Sequence, residues 1–246
     1  MKNFLQKFQQ KDIELTAKLA ATPFFSNFWC HQRLRKAIVS SAADAHGVLL
    51  DVGCGTKPYL PVFKPFVEKH LGIEYSPESV FRGHKADIFG DAMNLPLEDN
   101  SVDTILCTEV LEHLPDPEKA ISEFFRILRP GGTLITTAPF IYPVHDTWDF
   151  FRYTPKGLAA IMTRRGFEIE RVESLSGGGI TIALMFNIFW FDLGFLWTKW
   201  LYPIGVLLRP LLLIFVFIVN ILGLIADLLI PSPQMSFNHL TIGKKK

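Results

Sequence analysis

The chain has 246 residues and a formal net charge of +1. That length holds one full α/β domain with a segment left over. The near-zero charge excludes the broad basic surface of a nucleic-acid binder, so no nucleic-acid partner is expected. The three cysteines, Cys30, Cys54 and Cys107, lack metal-ligand spacing; Cys54 and Cys107 fall in or beside predicted strands and read as reduced, buried thiols of a cytosolic domain.

Residues 1–46 read as helical, with a break at Thr22-Pro23. Lys2, Lys7, Lys11 and Lys18 interrupt the apolar residues of the first twenty, which rules out a secretory signal and leaves an amphipathic helix, on the protein or on a membrane surface. Residues 47–175 alternate strand and helix. Strands are expected at Val48–Val52, Val67–Ile73, Thr104–Cys107, Gly132–Thr137 and Phe167–Glu173. A helix is expected over Pro117–Leu128, where Ala120, Ile121, Phe124, Phe125 and Leu128 recur at helical spacing. Arg129-Pro130-Gly131-Gly132 should stop it, Thr154-Pro155 should open another helix, and Gly166 should end that one. Repeated βα units imply a doubly wound, mostly parallel sheet.

Val48–Tyr59 is a buried strand running into a glycine turn, the place where such sheets hold nucleotides. Gly53 and Gly55 permit positive φ and keep Cβ atoms away from a ligand. A dinucleotide site wants a third glycine, and here the run is Gly53-Cys54-Gly55-Thr56-Lys57-Pro58. Glu74 closes the second predicted strand, where a carboxylate can accept from both hydroxyls of a ribose, or serve as an ordinary loop acid. Asp91, in Gly90-Asp91-Ala92, can accept from an adenine amino group or cap a turn.

The ordered set Asp51-Val-Gly-Cys-Gly55, Glu74, Gly90-Asp-Ala, Leu95-Pro96, Glu109-Val-Leu-Glu-His113 and Arg126–Gly132 resembles the class I S-adenosylmethionine-dependent methyltransferases, the type 11 group in particular, over residues 45–175. The resemblance implies a Rossmann-like methyltransferase sheet with its last strand antiparallel, and S-adenosylmethionine as cofactor. It implies that Asp51, Gly53 and Gly55 shape the methionine pocket, that Glu74 holds the ribose, that Asp91 and Ala92 flank the adenine, and that Thr108 or Glu109 lies near the sulfonium. Lys57 departs from the pattern, since many members carry a third glycine there. The reaction would be an in-line displacement in which the protein mainly positions donor and acceptor.

Glu109, Glu112 and His113 share a face if that stretch is helical, and could then hold a divalent metal such as magnesium. The segment resembles one found in metal-assisted O-methyltransferases; it could equally be a packed turn. His145 is a candidate base or fourth ligand, so Glu109, His113 and His145 are the catalytic candidates. Arg152 and Tyr153 either line the acceptor pocket or tie their loop to the next helix.

From Ile180 to Ile230 the only charged residues are Asp192, Lys199, Arg209 and Asp227, and Trp190, Trp197 and Trp200 cluster there. Residues 210–226 carry no charge, near the minimum length for crossing a bilayer. The tail Ser236–Gly243 resembles the last strand of the methyltransferase sheet, and the resemblance implies that it pairs antiparallel with Phe167–Glu173. The expected division is therefore an N-terminal helical segment (1–46), a methyltransferase domain (47–175 with 233–246) and an apolar helical insertion (176–232). Breaks at Tyr202-Pro203 and Arg209-Pro210 would make the insertion a hairpin or two in-plane helices, with both ends on the cytoplasmic side; a soluble lid or dimer interface is the other reading. The expectation is a membrane-attached methyltransferase with the bilayer as partner and a lipid-soluble or lipid-linked acceptor, oxygen slightly favoured over carbon. The alternative is a non-catalytic membrane scaffold on the same fold.

Overall fold

A computed structural model describes residues 21–76, 83–200 and 204–246, with the side chains of 191–209 excepted. The expectation for residues 1–20 and the break at Tyr202-Pro203 lie outside the described residues. The elements in chain order are α1 (Phe28–Ser41), β1 (Val48–Val52), α2 (Leu60–Phe63), β2 (Lys69–Glu74), β3 (Ile88–Phe89), β4 (Val102–Thr108), α3 (Pro117–Ile127), β5 (Leu128–Pro139), α4 (Pro155–Arg164), β6 (Phe167–Ser174), α5 (Gly178–Trp200), α6 (Ile204–Leu229) and β7 (Asn238–Lys245).

The seven strands form one sheet in the order β3-β2-β1-β4-β5-β7-β6. β1 to β5 are parallel, and β7 enters antiparallel between β5 and β6. The doubly wound sheet with an antiparallel last strand is therefore as expected. β7 pairs with β5 as well as with β6, so the tail strand is interior, which its fully buried Leu240 and Thr241 reflect. β1 and β4 read as near-continuous apolar runs because both of their faces are covered. Leu50, Ile105 and Leu134 have no exposed surface and pack with Ile121 and Phe124 of α3 and Leu158 and Met162 of α4.

Local chemistry sets the helix ends. Asp116 accepts from the Lys119 N–H at 3.0 Å and Pro117 follows at the first helical position, so α3 starts there. Thr154 does the same for α4, accepting from the Gly157 N–H at 3.0 Å, and Gly166 closes α4 with φ +100°. Arg129–Gly132 does not form a separate turn. These residues lie within β5, where Gly131 has φ +80° and the pairing with β4 shifts register between Val102 and Thr104, so the turn chemistry is absorbed as a strand irregularity.

The chain divides into two compact units. One holds the described residues of Met1–Leu34 together with Ser176–Ser236; the other is Arg35–Leu175 with Phe237–Lys246. The division falls inside α1 rather than at residue 46. In the first unit Asn220 Nδ2 donates to the carbonyls of Pro23 and Phe25 at 2.7 and 3.0 Å, and Trp29 Nε1 donates to the Asn220 carbonyl at 2.9 Å. In the same unit α5 and α6 form an antiparallel pair. Asp227 accepts from the N–H groups of Gly177 and Ile180 at 2.8 and 3.1 Å, and Asn187 donates to Asn220 Oδ1 at 3.0 Å. A Cβ at Gly179 would stand 2.6 Å from the Gly223 carbonyl oxygen, so glycines let the two backbones meet. Pro210 lies inside α6 and does not break it, contrary to the expectation from Arg209-Pro210.

Candidate active site

The predicted donor-site residues lie at or just past the carboxyl ends of β1, β2, β3 and β4, and Gly55 and Glu74 are in direct contact there. The turn after β1 takes left-handed φ at Gly53 (+68°), Gly55 (+51°) and Lys57 (+56°). The Gly53 N–H donates to the Ile73 carbonyl at 3.0 Å, tying the turn to β2. A Cβ at Gly53 would stand 2.5 Å from Val110 Cγ2, whereas one at Gly55 would meet nothing within 4 Å. Gly53 is thus demanded by close packing and by its φ, and Gly55 by its φ alone, with open space above it. Glu74, the last residue of β2, accepts from the Gly55 N–H at 2.6 Å, and His84 Nδ1 stands 3.2 Å from the same carboxylate oxygen.

Lys57 keeps the glycine-like backbone without being glycine. Its side chain passes over Gly72, where a Cβ would stand 2.5 Å from Lys57 Cε, and pairs with Asp87. Asp87 also accepts from the Gly72 N–H at 2.7 Å; burial is the largest single influence on its carboxyl and raises its pKa, but Lys57 and the Gly72 N–H together outweigh it and hold the carboxyl low. Asp51 is buried and its Oδ2 lies 3.0 Å from His70 Nε2. Burial raises its pKa, with His70 opposing. Asp51 therefore braces β1 against β2 under the turn.

Asp91 follows β3. Its Oδ1 accepts from the Met93 N–H at 2.8 Å, so it caps its own turn, while Ala92 is buried beside it. Arg126 from α3 holds this loop by donating to the carbonyls of Leu97 and Leu95 at 2.8 and 3.1 Å, and it pairs with Glu123, whose other contact is the Leu95 N–H at 2.9 Å. That positioning role was not read from the sequence, although Arg126 opens one of the matching segments. Thr108 closes β4 and pairs in register with Thr137.

The acceptor side corrects the expected metal and catalytic set. Residues 109–113 are not an α-helix. Glu109 is left-handed (φ +53°), and only Leu111–His113 form a 3-10 turn before Asp116 and Pro117 begin α3. Glu109 Oε1 accepts from Thr137 Oγ1 at 2.8 Å and Oε2 from Asn238 Nδ2 at 2.7 Å, which ties the ends of β4, β5 and β7 together. Burial raises its pKa against these two donors. Glu112 is fully buried and neither carboxylate oxygen has a hydrogen-bond partner. Burial and the neighbouring Glu109 push its pKa up to about 9. His113 Nε2 is 3.7 Å from Glu112 Oε1, and the rings of His113 and His145 are 5.2 Å apart. The group that clusters is Glu112, His113 and His145, without Glu109.

The loop bearing His145 is clamped by two residues. Arg152 donates to the carbonyls of Tyr142 and Pro143 at 2.8 and 2.6 Å and grips Asp149 with both terminal nitrogens. That grip holds the Asp149 carboxyl well below the usual range. Tyr153 is buried and donates to the Leu111 carbonyl at 3.0 Å. Both residues therefore tie the loop down, the second of the two roles read from the sequence. Asp149 is the partner that sequence reasoning did not single out; its signal was the i, i+3 spacing to Arg152. An open surface cavity lined by Thr163, Phe167 and Lys246 among others contains none of these residues and sits at the amino end of β6.

Residues 50–136 match the sequence pattern of a methyltransferase domain. A Mycolicibacterium smegmatis protein named as a probable S-adenosylmethionine-dependent methyltransferase is 31% identical over 134 residues, covering 50% of this chain and 52% of that protein. The 27-O-demethylrifamycin SV methyltransferase of Amycolatopsis mediterranei is 31% identical over 147 residues, covering 55% of this chain and 48% of that protein. The chain thus spans about half the length of these curated relatives. The solved structure of the cyclase SpnF superposes with a TM-score of 0.53 at 22% identity, covering 87% of this chain and 80% of that one, a likeness of fold alone. The strand-and-loop unit bearing Gly53, Glu74 and Asp91 is thus similar in sequence to methyltransferase domains and to relatives named as S-adenosylmethionine-dependent. S-adenosylmethionine is the cofactor that this class takes.

Proposed function

We propose that this protein transfers a methyl group from S-adenosylmethionine to a lipid-soluble or lipid-linked acceptor at a membrane. The observation that carries the donor half is Glu74 at the end of β2, its carboxylate drawn against the Gly55 N–H beside two left-handed glycines. A ribose diol fits that carboxylate, and the open space above Gly55 leaves room for the donor. The sulfonium is already a strong electrophile, so positioning is the main task of the protein. Glu74→Ala is expected to weaken S-adenosylmethionine binding by about 10- to 100-fold, the loss of charge-assisted hydrogen bonds. Calorimetry measures it, and binding equal to that of the wild type would remove Glu74 from the site.

The membrane half rests on α5 and α6. At 1.5 Å per residue α5 is about 34 Å long and α6 about 39 Å, against a hydrocarbon layer of roughly 30 Å. The Pro210–Leu229 stretch has a mean hydropathy of 2.7. Leu211, Leu222, Leu228 and Ile182 expose large apolar surface, while the polar Asn187 and Asp227 face inward, Asn187 donating to Asn220 Oδ1 and Asp227 accepting from the Ile180 N–H. The chain leaves the sheet at Ser174 and returns at His239, its direct pairing partner. That adjacency supports a hairpin entered and left on one side of the bilayer, with the methyltransferase domain on the cytoplasmic side. A reporter fused after Lys246 is expected to read cytoplasmic; an external readout would sink the hairpin topology.

An oxygen acceptor is favoured by the titratable groups on the acceptor side, and the relative acting on a demethylrifamycin is named for an oxygen position. A divalent cation belongs to the same reading. The second reading, a membrane scaffold without catalysis, is separated by labelled methyl transfer into membrane extract. Donor binding with no transfer would favour the scaffold.

A further inference from the structure

The acceptor side holds an uncompensated group. Glu112 is wholly buried with both oxygens unpartnered. A buried carboxyl left in that state is costly whether ionised or not. One oxygen of Glu112 and one ring nitrogen each of His113 and His145 lie within 4.8 Å of one another. The Nδ1 atoms of the two rings are already held. His113 Nδ1 meets the Trp148 carbonyl, and His145 Nδ1 faces Asp149 Oδ2 at 3.1 Å. Both partners are acceptors, so each Nδ1 carries the hydrogen and each Nε2 presents a lone pair. Histidines that ligate metals are held in this way, the other ring N–H given to a carbonyl or a carboxylate.

We propose that Glu112, His113 and His145 bind one divalent transition-metal ion, of the zinc, cobalt or iron(II) class, on the acceptor side of the donor site. Two imidazole nitrogens and one carboxylate suit these ions, whereas magnesium takes oxygen ligands; the expectation of magnesium therefore does not fit this donor set. Glu109 stays out because Thr137 and Asn238 occupy its oxygens. The His113 and His145 side chains are 27% and 38% exposed, so the remaining coordination positions open toward solvent and an oxygen-bearing acceptor. That role for the ion rests on the methyl-transfer reading; the binding itself does not.

The test uses the full chain in detergent micelles, stripped with a chelator and titrated with cobalt(II). Visible absorption and calorimetry follow the metal, and S-adenosylmethionine binding is measured on the same samples. One equivalent of cobalt is expected, displaced by zinc and not by an equal concentration of magnesium. His113→Ala and His145→Ala should each weaken binding at least tenfold, while Glu109→Gln keeps the full equivalent. Absence of saturable cobalt binding, wild-type affinity in His145→Ala, or competition by magnesium at parity would each overturn the site. If His113→Ala also loses the donor and is therefore misfolded, His145→Ala, on the loop, carries the decision. Cobalt bound tightly with no methyl transfer would support the site and count against the enzyme reading.

Discussion

Gly53 and Lys57 reach the same left-handed backbone by different means. Gly53 does so because it has no Cβ, and Lys57 because its side chain is anchored at Asp87. The two positions therefore respond differently to substitution. Gly53→Ala places a methyl group 2.5 Å from Val110 Cγ2 on a backbone that L side chains rarely adopt. The expected cost is about 1–3 kcal/mol of stability, from strain together with displacement of Val110, and weaker S-adenosylmethionine binding accompanies it. Urea unfolding measures the first effect, and a midpoint equal to that of the wild type would show that the turn relaxes freely. Glu112 and Asp149 mark the limit of reading single residues. The unpartnered state of the Glu112 carboxylate is a product of tertiary burial that no local spacing announces, whereas the Asp149–Arg152 pair left only its i, i+3 spacing as a signal.

β7 pairs with β6 as expected, but its second partner, β5, was not read from the sequence. Its apolar and polar residues alternate as an edge strand's would, yet it sits between β5 and β6 with six of its eight residues buried. One consequence is His239, fully buried with neither ring nitrogen partnered. Burial lowers its pKa to about 4 from an ordinary 6.5. The native state refuses a proton that the unfolded chain accepts below pH 6.5. The stability contributed by neutral His239 is thus fully present above 6.5 and is lost as the pH falls toward 4, by about 3 kcal/mol in all. Glu109 and Glu112, whose pKa values are raised, act with the opposite sign, so the single variant must be compared with the wild type. His239→Leu should be destabilised less than the wild type between pH 7 and pH 4.5 in urea titrations. Parallel pH profiles would show that His239 is protonated or solvated in the native state.

At the scale of the whole molecule, the insertion is topologically separable. Ser174 pairs with His239, and the Leu175 N–H donates to the Asn238 carbonyl at 3.0 Å, so the ends of β6 and β7 already touch where residues 176–236 depart. Replacing residues 177–235 with a short glycine-serine linker is expected to give a protein that no longer needs detergent and still binds S-adenosylmethionine. Aggregation of that variant, or loss of donor binding, would mean that the insertion is needed to complete the domain.

The sequence by itself determined the parallel strands, the glycine turn, the acidic strand end at Glu74 and the apolar insertion. Each is a local pattern: a run of buried strand residues, a backbone that demands positive φ, a hydropathy shift. Only the tertiary structure decided which of the acceptor-side residues meet. Glu109 is turned away by bonds to Thr137 and Asn238, while His145 is brought to Glu112 and His113 by a loop that Arg152 clamps. The physical reason is that ligand sets and buried charges depend on contacts between segments distant in the chain. Helical spacing at residues 109–113 cannot report those contacts when the segment is a left-handed residue followed by a single 3-10 turn.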